Sequence, residues 1–257
     1  MPPTLDIITI SYNSGKTVQK TLESIRQQRQ DINRYIIIDG GSTDNTLAII
    51  SDHQDIIDVL VSEPDDGISD AFNKGISRAV GDFILLLNAD DWLVPNSLSG
   101  ILHAIKHEDQ VVCTQMLSFV NSSFSGMHQS FPQDIRKRNS MLHPGMIVKR
   151  SVYAQIGGYD TSFRVGMDYE FTCRFVVSGG IFSIINQPLV NFSEGGISGR
   201  SAWRICMESY MIRRRYFGVI LPLREAVQLF KRFIGNFLKC VGARGFIKSL
   251  IGLTGHV

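Results

Sequence analysis

One stretch, FILLLNADDW at positions 83–92, constrains the fold more than any other part of the sequence. Its five consecutive apolar residues, 83–87, predict a strand that is buried on both faces. Asp90 and Asp91 follow directly, at the carboxyl end of the strand, where open α/β sheets bind their ligands. Two adjacent carboxylates need a cation or hydrogen-bond donors to offset their repulsion. The pair therefore indicates either Mg²⁺ or Mn²⁺ holding a phosphate, or the N-cap of the next helix.

The alternation of strands and helices before this stretch predicts the fold class. Apolar runs predict strands at residues 5–11, 35–38, 57–61 and 83–87, and helical periodicity separates them. This order requires right-handed crossovers and a mostly parallel sheet, which makes the chain an α/β protein. Each of the four strands ends in polar groups that could contact a ligand.

The second half of the chain is less regular. A strand is expected at residues 111–120, followed by a polar loop at 121–130. Two further strands are expected at 181–185 and 189–192. The sequence EGGIS at 194–198 predicts a loop that either covers a site or is an ordinary glycine turn.

Cysteine usage and hydropathy limit the cellular location. The four cysteines lie far apart without a CxxC pair, so neither a zinc site nor a disulfide framework is expected. No basic and apolar leader follows Met1, and no apolar run reaches the roughly 18 residues of a membrane span. These features predict a cytoplasmic protein that is neither exported nor inserted into the membrane.

Charge is distributed unevenly along the chain. Residues 1–200 contain 16 Lys and Arg against 22 Asp and Glu, whereas residues 201–257 contain 10 against 2. This contrast predicts two parts, a domain at 1–200 and a basic helical region at 201–257.

The C-terminal part has the pattern of a basic amphipathic helix. One face carries Phe230, Ile234, Phe237, Leu238 and Val241, and the opposite face carries Arg224, Gln228, Lys231 and Lys239. Such a helix is typical of attachment to an anionic membrane surface. The alternative is packing on the rest of the chain or on a second copy, as in a homo-oligomer. Nucleic acid is not expected as a partner, because no recognition motif accompanies the charge.

Asp39 ends the second predicted strand and is followed by a glycine-rich turn. Its carboxylate is placed to accept hydrogen bonds from a ligand such as a nucleobase edge. The alternative is that it binds the amides of its own turn.

Six motifs occur in an order and spacing that resemble a known family. They are TISYN (9–13), IIDGGSTDNT (37–46), DAFNKGI (70–76), LNADD (87–91), GGYD (157–160) and MDYEF (167–171). Together they resemble the inverting family 2 glycosyltransferases of the GT-A fold, a Rossmann-like, mostly parallel sheet with helices on both faces. Within that family the resemblance is to enzymes that build bacterial O-antigen and exopolysaccharide repeat units. It covers roughly residues 5–198.

The resemblance implies roles for individual residues. Donor binding is implied for Thr9, Tyr12, Asp39, Asp66, Asn73 and Asp90, with Asp39 at the uracil edge and Asp90 at the ribose. Asp91 would bind a divalent Mn²⁺ or Mg²⁺ that bridges the diphosphate. His143 is either a further metal ligand or a partly buried histidine before a proline turn.

Asp168 matches the family's catalytic base. The chain departs from the family at two places, with Gly40 where many members carry a second acid, and Met167 before Asp168. The first departure leaves the nucleotide open, and the second leaves Glu170 as an alternative base.

The function that this resemblance implies is sugar transfer from a nucleoside-diphosphate donor, expected to be a UDP-sugar, with inversion. The acceptor would be a glycan or a lipid-linked glycan in cell-surface polysaccharide biosynthesis. The protein would lie peripherally on the inner face of the bacterial cytoplasmic membrane. The alternative function is a non-catalytic nucleotide-binding subunit that scaffolds a membrane polysaccharide assembly.

Overall fold

The computed structural model describes residues 2–193 and 202–219. The strands are β1 (Leu5–Ser11), β2 (Arg34–Asp39), β3 (Val59–Ser62), β4 (Phe83–Asn88), β5 (Trp92–Leu93), β6 (Val111–Val120), β7 (Ser123–His128), β8 (Met146–Lys149) and β9 (Phe182–Ser193). The helices are α1 (Val18–Arg26), α2 (Thr46–Ser51), α3 (Ile68–Ile76), α4 (Leu98–Ala104), α5 (Arg150–Ile156), α6 (Met167–Val177) and α7 (Ala202–Phe217).

The described strands form one sheet in the order β3-β2-β1-β4-β8-β6-β9-β5, with β7 paired to β6. The four strands β3, β2, β1 and β4 are parallel, as the alternating pattern predicts. Their register aligns Ser11 with Asp39 and Asp39 with Ser62. It also aligns Ile10 with Asn88, so the polar strand ends meet along one edge of the sheet.

The parallel arrangement does not continue through the second half of the chain. Strand β8 pairs antiparallel with both β4 and β6, whereas β9 runs parallel to β6. The segment predicted as a polar loop at 121–130 contains strand β7, because pairing with β6 satisfies its backbone despite its polar sequence. The two strands predicted between 181 and 192 are a single strand, β9, whose pairing with β6 continues past Pro188 through register shifts.

Helices cover both faces of the sheet. Along β4, Phe83, Leu85 and Leu87 belong to one buried cluster, together with residues of α1, α2 and α4. Ile84 and Leu86 belong to the other cluster, together with residues of α3, α5, α6 and α7. This alternation on one fully buried strand explains its uninterrupted apolar sequence.

The first helix of the basic region packs on the sheet domain. Ile212 of α7 is completely buried in the same cluster as Tyr169 and Phe171 of α6. Residues 202–217 therefore pack on the sheet domain, which is one of the two alternatives expected for the basic region, and the expected boundary after residue 200 stays a prediction. The amphipathic segment at 227–241 and the loop at 194–198 lie outside the described residues. Within the described part, no helix is both long and apolar enough to cross a membrane.

Candidate active site at the carboxyl edge of the sheet

Asp39 stabilises the turn that follows β2. Its carboxylate is completely buried and accepts hydrogen bonds from the hydroxyls of Ser11 (3.0 Å) and Ser62 (2.8 Å) on the neighbouring strands. It also accepts from the backbone N–H groups of Gly41 (3.1 Å) and Ser42 (2.9 Å). Burial raises the pKa of Asp39, but the hydrogen bonds from Ser42, Ser62 and Ser11 outweigh it and leave the pKa below its ordinary value. Asp39 thus binds the amides of its own turn, the second of its two expected roles, while its role at a nucleobase edge stays a prediction.

Asp65 lies beside Gly40, in the space that a side chain at position 40 would occupy. A Cβ atom built on Gly40 would lie 2.4 Å from Asp65 Oδ2 and 3.5 Å from the Tyr12 ring. Tyr12 is 63% exposed, so one face of its ring is available to a planar ligand. The expected acid of this loop was Asp66, whose exposed side chain is not in this contact. The sequence feature that could have indicated this contact is Gly40, because a glycine leaves room for a carboxylate from another segment.

Two residues expected to bind the donor, Thr9 and Asn73, are hydrogen-bonded to other parts of the protein. Thr9 is completely buried, and its hydroxyl accepts a hydrogen bond from the Tyr35 hydroxyl at 3.0 Å. Thr9 is in the core because it lies in the middle of β1, on the same face as Ile7, which belongs to the cluster with α1, α2 and α4. Asn73 uses its amide on the backbone of Tyr159, donating to the carbonyl and accepting from the N–H at 2.8 Å each. In this structure both side chains are therefore engaged by the protein itself, and their expected role in donor binding stays a prediction.

Asp90 and Asp91 lie in different environments although they are adjacent. Asp91 is 0% exposed, and its carboxylate accepts from the backbone N–H of Ser193 (3.1 Å) and from the Asn88 amide (3.3 Å). Asp90 is half-buried, and its carboxylate is hydrogen-bonded only to its own backbone amide within the described part of the chain. Of the two acids, Asp90 therefore has the more accessible carboxylate, whereas Asp91, the expected metal ligand, is engaged by the protein itself.

Electrostatics at this pair favour a positively charged ligand. Burial raises the pKa of Asp90 above its ordinary value. Burial and then the charge of Asp90 raise the pKa of Asp91 well above its ordinary value. No Lys, Arg or His side chain contributes to the pKa shift of either carboxylate. A bound cation would therefore stabilise their ionised forms. Mg²⁺ and related ions are commonly held by one or two carboxylates together with substrate phosphates, and this pair fits that arrangement.

His143 is hydrogen-bonded and packed within the protein. Among residues 2–193 and 202–219, no three His, Cys, Asp or Glu side chains are arranged to hold a metal ion. His143 Nε2 lies 3.1 Å from the Tyr159 hydroxyl, and its ring packs 5.2 Å from that of Phe72. Burial lowers the pKa of His143, while the nearby charge of Asp168 acts in the opposite direction. These contacts fit the second of its two expected roles, a partly buried histidine, and its role as a metal ligand stays a prediction.

Asp168 and Glu170 were the two candidates for the base, and they differ in accessibility. Glu170 is 1% exposed and is bound by Arg174 at 2.9 Å and by the Tyr216 hydroxyl. Asp168 is half-buried in the first turn of α6, and its carboxylate accepts from the Asn139 amide at 3.0 Å. Of the two, Asp168 therefore has the more accessible carboxylate.

A cavity of about 420 Å³ lies next to Asp168. It is lined by Gln115, Met127, His128, Gln129, Phe131, Arg138, Asn139, Ser140 and Leu142. Asn139 belongs to this wall and also binds Asp168, so one side chain connects the cavity with the candidate base. The sequence did not reveal this cavity, because it forms between the β6–β7 hairpin and a segment of irregular backbone.

Comparison with known proteins identifies the family. The family model described as "Glycosyl transferase family 2" matches residues 6–169. An uncharacterized glycosyltransferase of Mycobacterium tuberculosis is 33% identical over 181 residues, which cover 67% of this chain and 68% of that protein. A PGL/p-HBAD biosynthesis glycosyltransferase of Mycobacterium bovis is 30% identical over 242 residues, covering 90% and 91% of the two chains.

Solved structures share the fold. TarS 1–349 of S. aureus in complex with UDP-GlcNAc superposes with a TM-score of 0.66 at 17% identity, over 99% of this chain and 76% of that chain. In another TarS structure this chain covers 43% of the solved chain. The mannosyltransferase PcManGT from Pyrobaculum calidifontis, in complex with GDP-Man and Mn²⁺, gives a TM-score of 0.63 at 15% identity, over 83% and 63%. These similarities confirm the expected GT-A fold, and the family match shows that the chain belongs to glycosyl transferase family 2.

Proposed function

We propose that this glycosyltransferase moves a sugar from a nucleoside-diphosphate donor, a UDP-sugar, to a hydroxyl acceptor with inversion and with the help of a divalent metal. The observation that carries the proposal is the free carboxylate of Asp90 at the carboxyl edge of the parallel strands. Ligands of open α/β sheets bind at this edge, and the acid has no compensating cation there. The complexes of TarS with UDP-GlcNAc and of PcManGT with GDP-Man support a nucleotide-sugar donor.

The nucleobase would bind between the exposed ring of Tyr12 and the Asp65 carboxylate. Tyr12 offers a face for stacking, while Asp65 can accept a hydrogen bond from the N3–H group of uracil. Asp39 contributes indirectly, because its hydrogen bonds to Gly41 and Ser42 fix the turn that borders this position.

Asp90 is the residue of this chain that would hold the metal. A divalent ion bound there supplies electrostatic stabilisation to the negative charge that develops on the leaving nucleoside diphosphate. The Mn²⁺ in the PcManGT complex supports the involvement of a divalent metal. Asp91 would act as a buried support that joins the end of β4 to Ser193.

Asp168 would remove the proton from the acceptor hydroxyl. Asp168 lies in the first turn of α6, where one of its carboxylate oxygens accepts from the Asn139 amide. Among the described residues, the other oxygen accepts only from the Tyr169 backbone N–H, at 2.7 Å. The acceptor would enter through the cavity beside Asn139, and attack from that side would displace the diphosphate with inversion at the anomeric carbon. A positioned general base of this kind contributes typically about 10²- to 10⁴-fold to the rate.

The acceptor class is proposed from the relatives. The name of the M. bovis relative, a PGL/p-HBAD biosynthesis glycosyltransferase, supports a pathway of bacterial cell-surface glycoconjugates. A glycan or lipid-linked glycan, as in O-antigen or exopolysaccharide assembly, is the acceptor that we expect. The non-catalytic scaffold is the competing function, and it predicts nucleotide binding without turnover.

Two measurements on the purified full-length protein test this function. Calorimetric titration with UDP, GDP, dTDP and CDP, each with Mn²⁺ or with EDTA, should show metal-dependent binding of UDP. Turnover of the UDP-sugar by Asp168→Asn should fall by about 10²- to 10⁴-fold while UDP binding stays intact. Asp52→Asn, at the exposed end of α2, serves as the matched control. Equal turnover by wild type and Asp168→Asn would instead favour the scaffold function.

A further inference from the structure

The β6–β7 hairpin presents an apolar face to solvent beside the cavity. Phe119 pairs with Phe124, and Leu117 pairs with Met127, across the two antiparallel strands. Directly opposed residues share one face of a ladder. Because the register shifts between Ser118 and Phe119, Phe124 and Met127 lie on the same face although they are three residues apart on β7. Phe124 is 61% exposed and Met127 is 58% exposed. Exposed large apolar side chains clustered in this way are typical of an interaction surface.

This apolar face connects the two parts of the candidate active site. At one end, the Phe119 ring packs 5.1 Å from that of Trp92, the residue that follows Asp91. At the other end, Met127 lines the cavity together with Phe131, which is itself 36% exposed. A ligand on this face would therefore lie between Trp92, which follows the Asp90–Asp91 pair, and the cavity that contains Asn139, the partner of Asp168.

A group of cationic side chains lies on the other side of the cavity. Arg136, Lys137 and Arg138 are exposed, and the backbone carbonyl of Lys137 accepts from Arg213 of α7 at 2.9 Å. Asp134 pairs with Lys137 and Arg138, whereas no salt bridge among the described residues engages Arg136 or Arg213. We call the three exposed cations Arg136, Lys137 and Arg138 the basic patch, and half-buried Arg213 supports it through the Lys137 carbonyl.

We infer that the apolar hairpin face and the basic patch together dock on an anionic lipid bilayer, with the cavity opening toward the bilayer. Apolar side chains that enter the interface and cations that meet anionic headgroups are the two contributions that peripheral attachment requires. The two surfaces flank one cavity, whose wall contains both Arg138 and Met127. The inference rests on the proposed function only in treating this cavity as the acceptor site.

Vesicle flotation of the full-length protein tests the inference. Wild type should bind vesicles of phosphatidylcholine with phosphatidylglycerol more tightly than vesicles of phosphatidylcholine alone. The variant Arg136→Gln with Lys137→Gln should lose about fivefold in affinity for each cation removed, on the anionic vesicles only. The variant Phe124→Ser with Met127→Ser should lose about tenfold or more on the anionic vesicles.

Matched controls lie at the other end of the strands, away from the β6–β7 hairpin. Val177→Ser with Ile181→Ser removes exposed apolar side chains, and Lys106→Gln with Lys149→Gln removes cations, at the amino ends of β9 and β6. Both controls should bind vesicles as wild type does. UDP titration in the presence of Mn²⁺ and circular dichroism check that each variant is folded.

Two results would overturn the inference. One is that wild type does not bind anionic vesicles. The other is that both test variants bind like wild type, which would place membrane attachment in residues 220–257 or elsewhere. A protein that binds vesicles as expected but binds no nucleotide would refute the proposed function while leaving this inference standing.

Discussion

The Oε2 atom of Glu208 accepts a hydrogen bond from the backbone N–H of Gly166 at 2.7 Å, two residues before Asp168. The same carboxylate accepts from the N–H groups of Val165 (2.9 Å) and Arg164 (3.2 Å). Glu208 is only 9% exposed, so water could not easily replace its carboxylate as the acceptor for these three N–H groups. Helix α7 therefore fixes the segment from which α6 begins, and with it the position of the candidate base.

Replacement of Glu208 should lower turnover through this contact. Glu208→Ala leaves three consecutive backbone amides without an acceptor, so we expect a loss of stability on the order of 2 kcal/mol and a fall in kcat. UDP binding should change little, because the proposed nucleotide site lies at the ends of β1 to β4. The measurements are kcat, UDP affinity and thermal unfolding.

Glu208→Gln is the matched variant, since its single amide oxygen can still accept from Val165 and Gly166. Its kcat should lie between those of Glu208→Ala and wild type. Stability that falls while kcat stays constant would mean that Glu208 supports the fold without positioning Asp168.

Asp90 and Asp91 should respond differently to substitution. Asp90→Asn should abolish the Mn²⁺-dependent part of UDP binding and leave thermal stability almost unchanged, because that side chain is bound only to its own amide. Asp91→Ala should cost about 1–3 kcal/mol of stability, because it leaves the N–H of Ser193 without its acceptor. Calorimetry with and without EDTA, together with thermal unfolding, separates the two effects. The assignment of Asp90 would be refuted by metal-dependent binding that survives Asp90→Asn.

Asp65 should determine the preference for uracil. Asp65→Asn removes a charge-assisted acceptor for N3–H, so UDP affinity should fall by about tenfold while CDP affinity does not. Asp66→Asn is the control on the neighbouring exposed residue. Nucleotide titrations that show equal UDP affinity for wild type and Asp65→Asn would exclude this role.

The contact between Gly40 and Asp65 allows a stricter test. Gly40→Asp alone would place a Cβ atom 2.4 Å from Asp65 Oδ2 and should disrupt the site. Combined with Asp65→Gly, the same change returns one carboxylate to this space. The double variant should bind UDP more tightly than either single variant, as measured by calorimetry.

His143 should make stability fall at mildly acidic pH. Burial holds its pKa below the ordinary value of about 6.5, so the unfolded chain takes up a proton first as pH decreases. The charge of Asp168 opposes this lowering of the His143 pKa. The Tyr159 hydroxyl also faces the imidazole, but it stays un-ionised because burial raises its pKa well above the ordinary value. The unfolding temperature of wild type should therefore fall from pH 8 to pH 5 more steeply than that of His143→Gln. Parallel curves for the two proteins would contradict the expectation.

Much of the fold was predictable from local patterns. The apolar run at 83–87 specifies a strand buried on both faces, and its alternation with helical segments specifies parallel pairing, because neither depends on distant residues. Strand β7 was missed because its polar sequence becomes extended only by pairing with β6. Strand β9 was predicted as two strands because Gln187 and Pro188 interrupt the apolar pattern, although the strand continues through them.

For the candidate site, the sequence by itself determined which residue types reach the carboxyl edge, since strand ends and their acids follow from hydrophobic periodicity. Only the tertiary structure decided which of them remain free. Asp39, Asp91, Thr9 and Asn73 are engaged by partners on other segments, whereas Asp65, Asp90 and Asp168 keep accessible oxygen atoms. The physical reason is that burial and hydrogen bonding depend on neighbours that are distant in the chain, as Glu208 and Gly166 are.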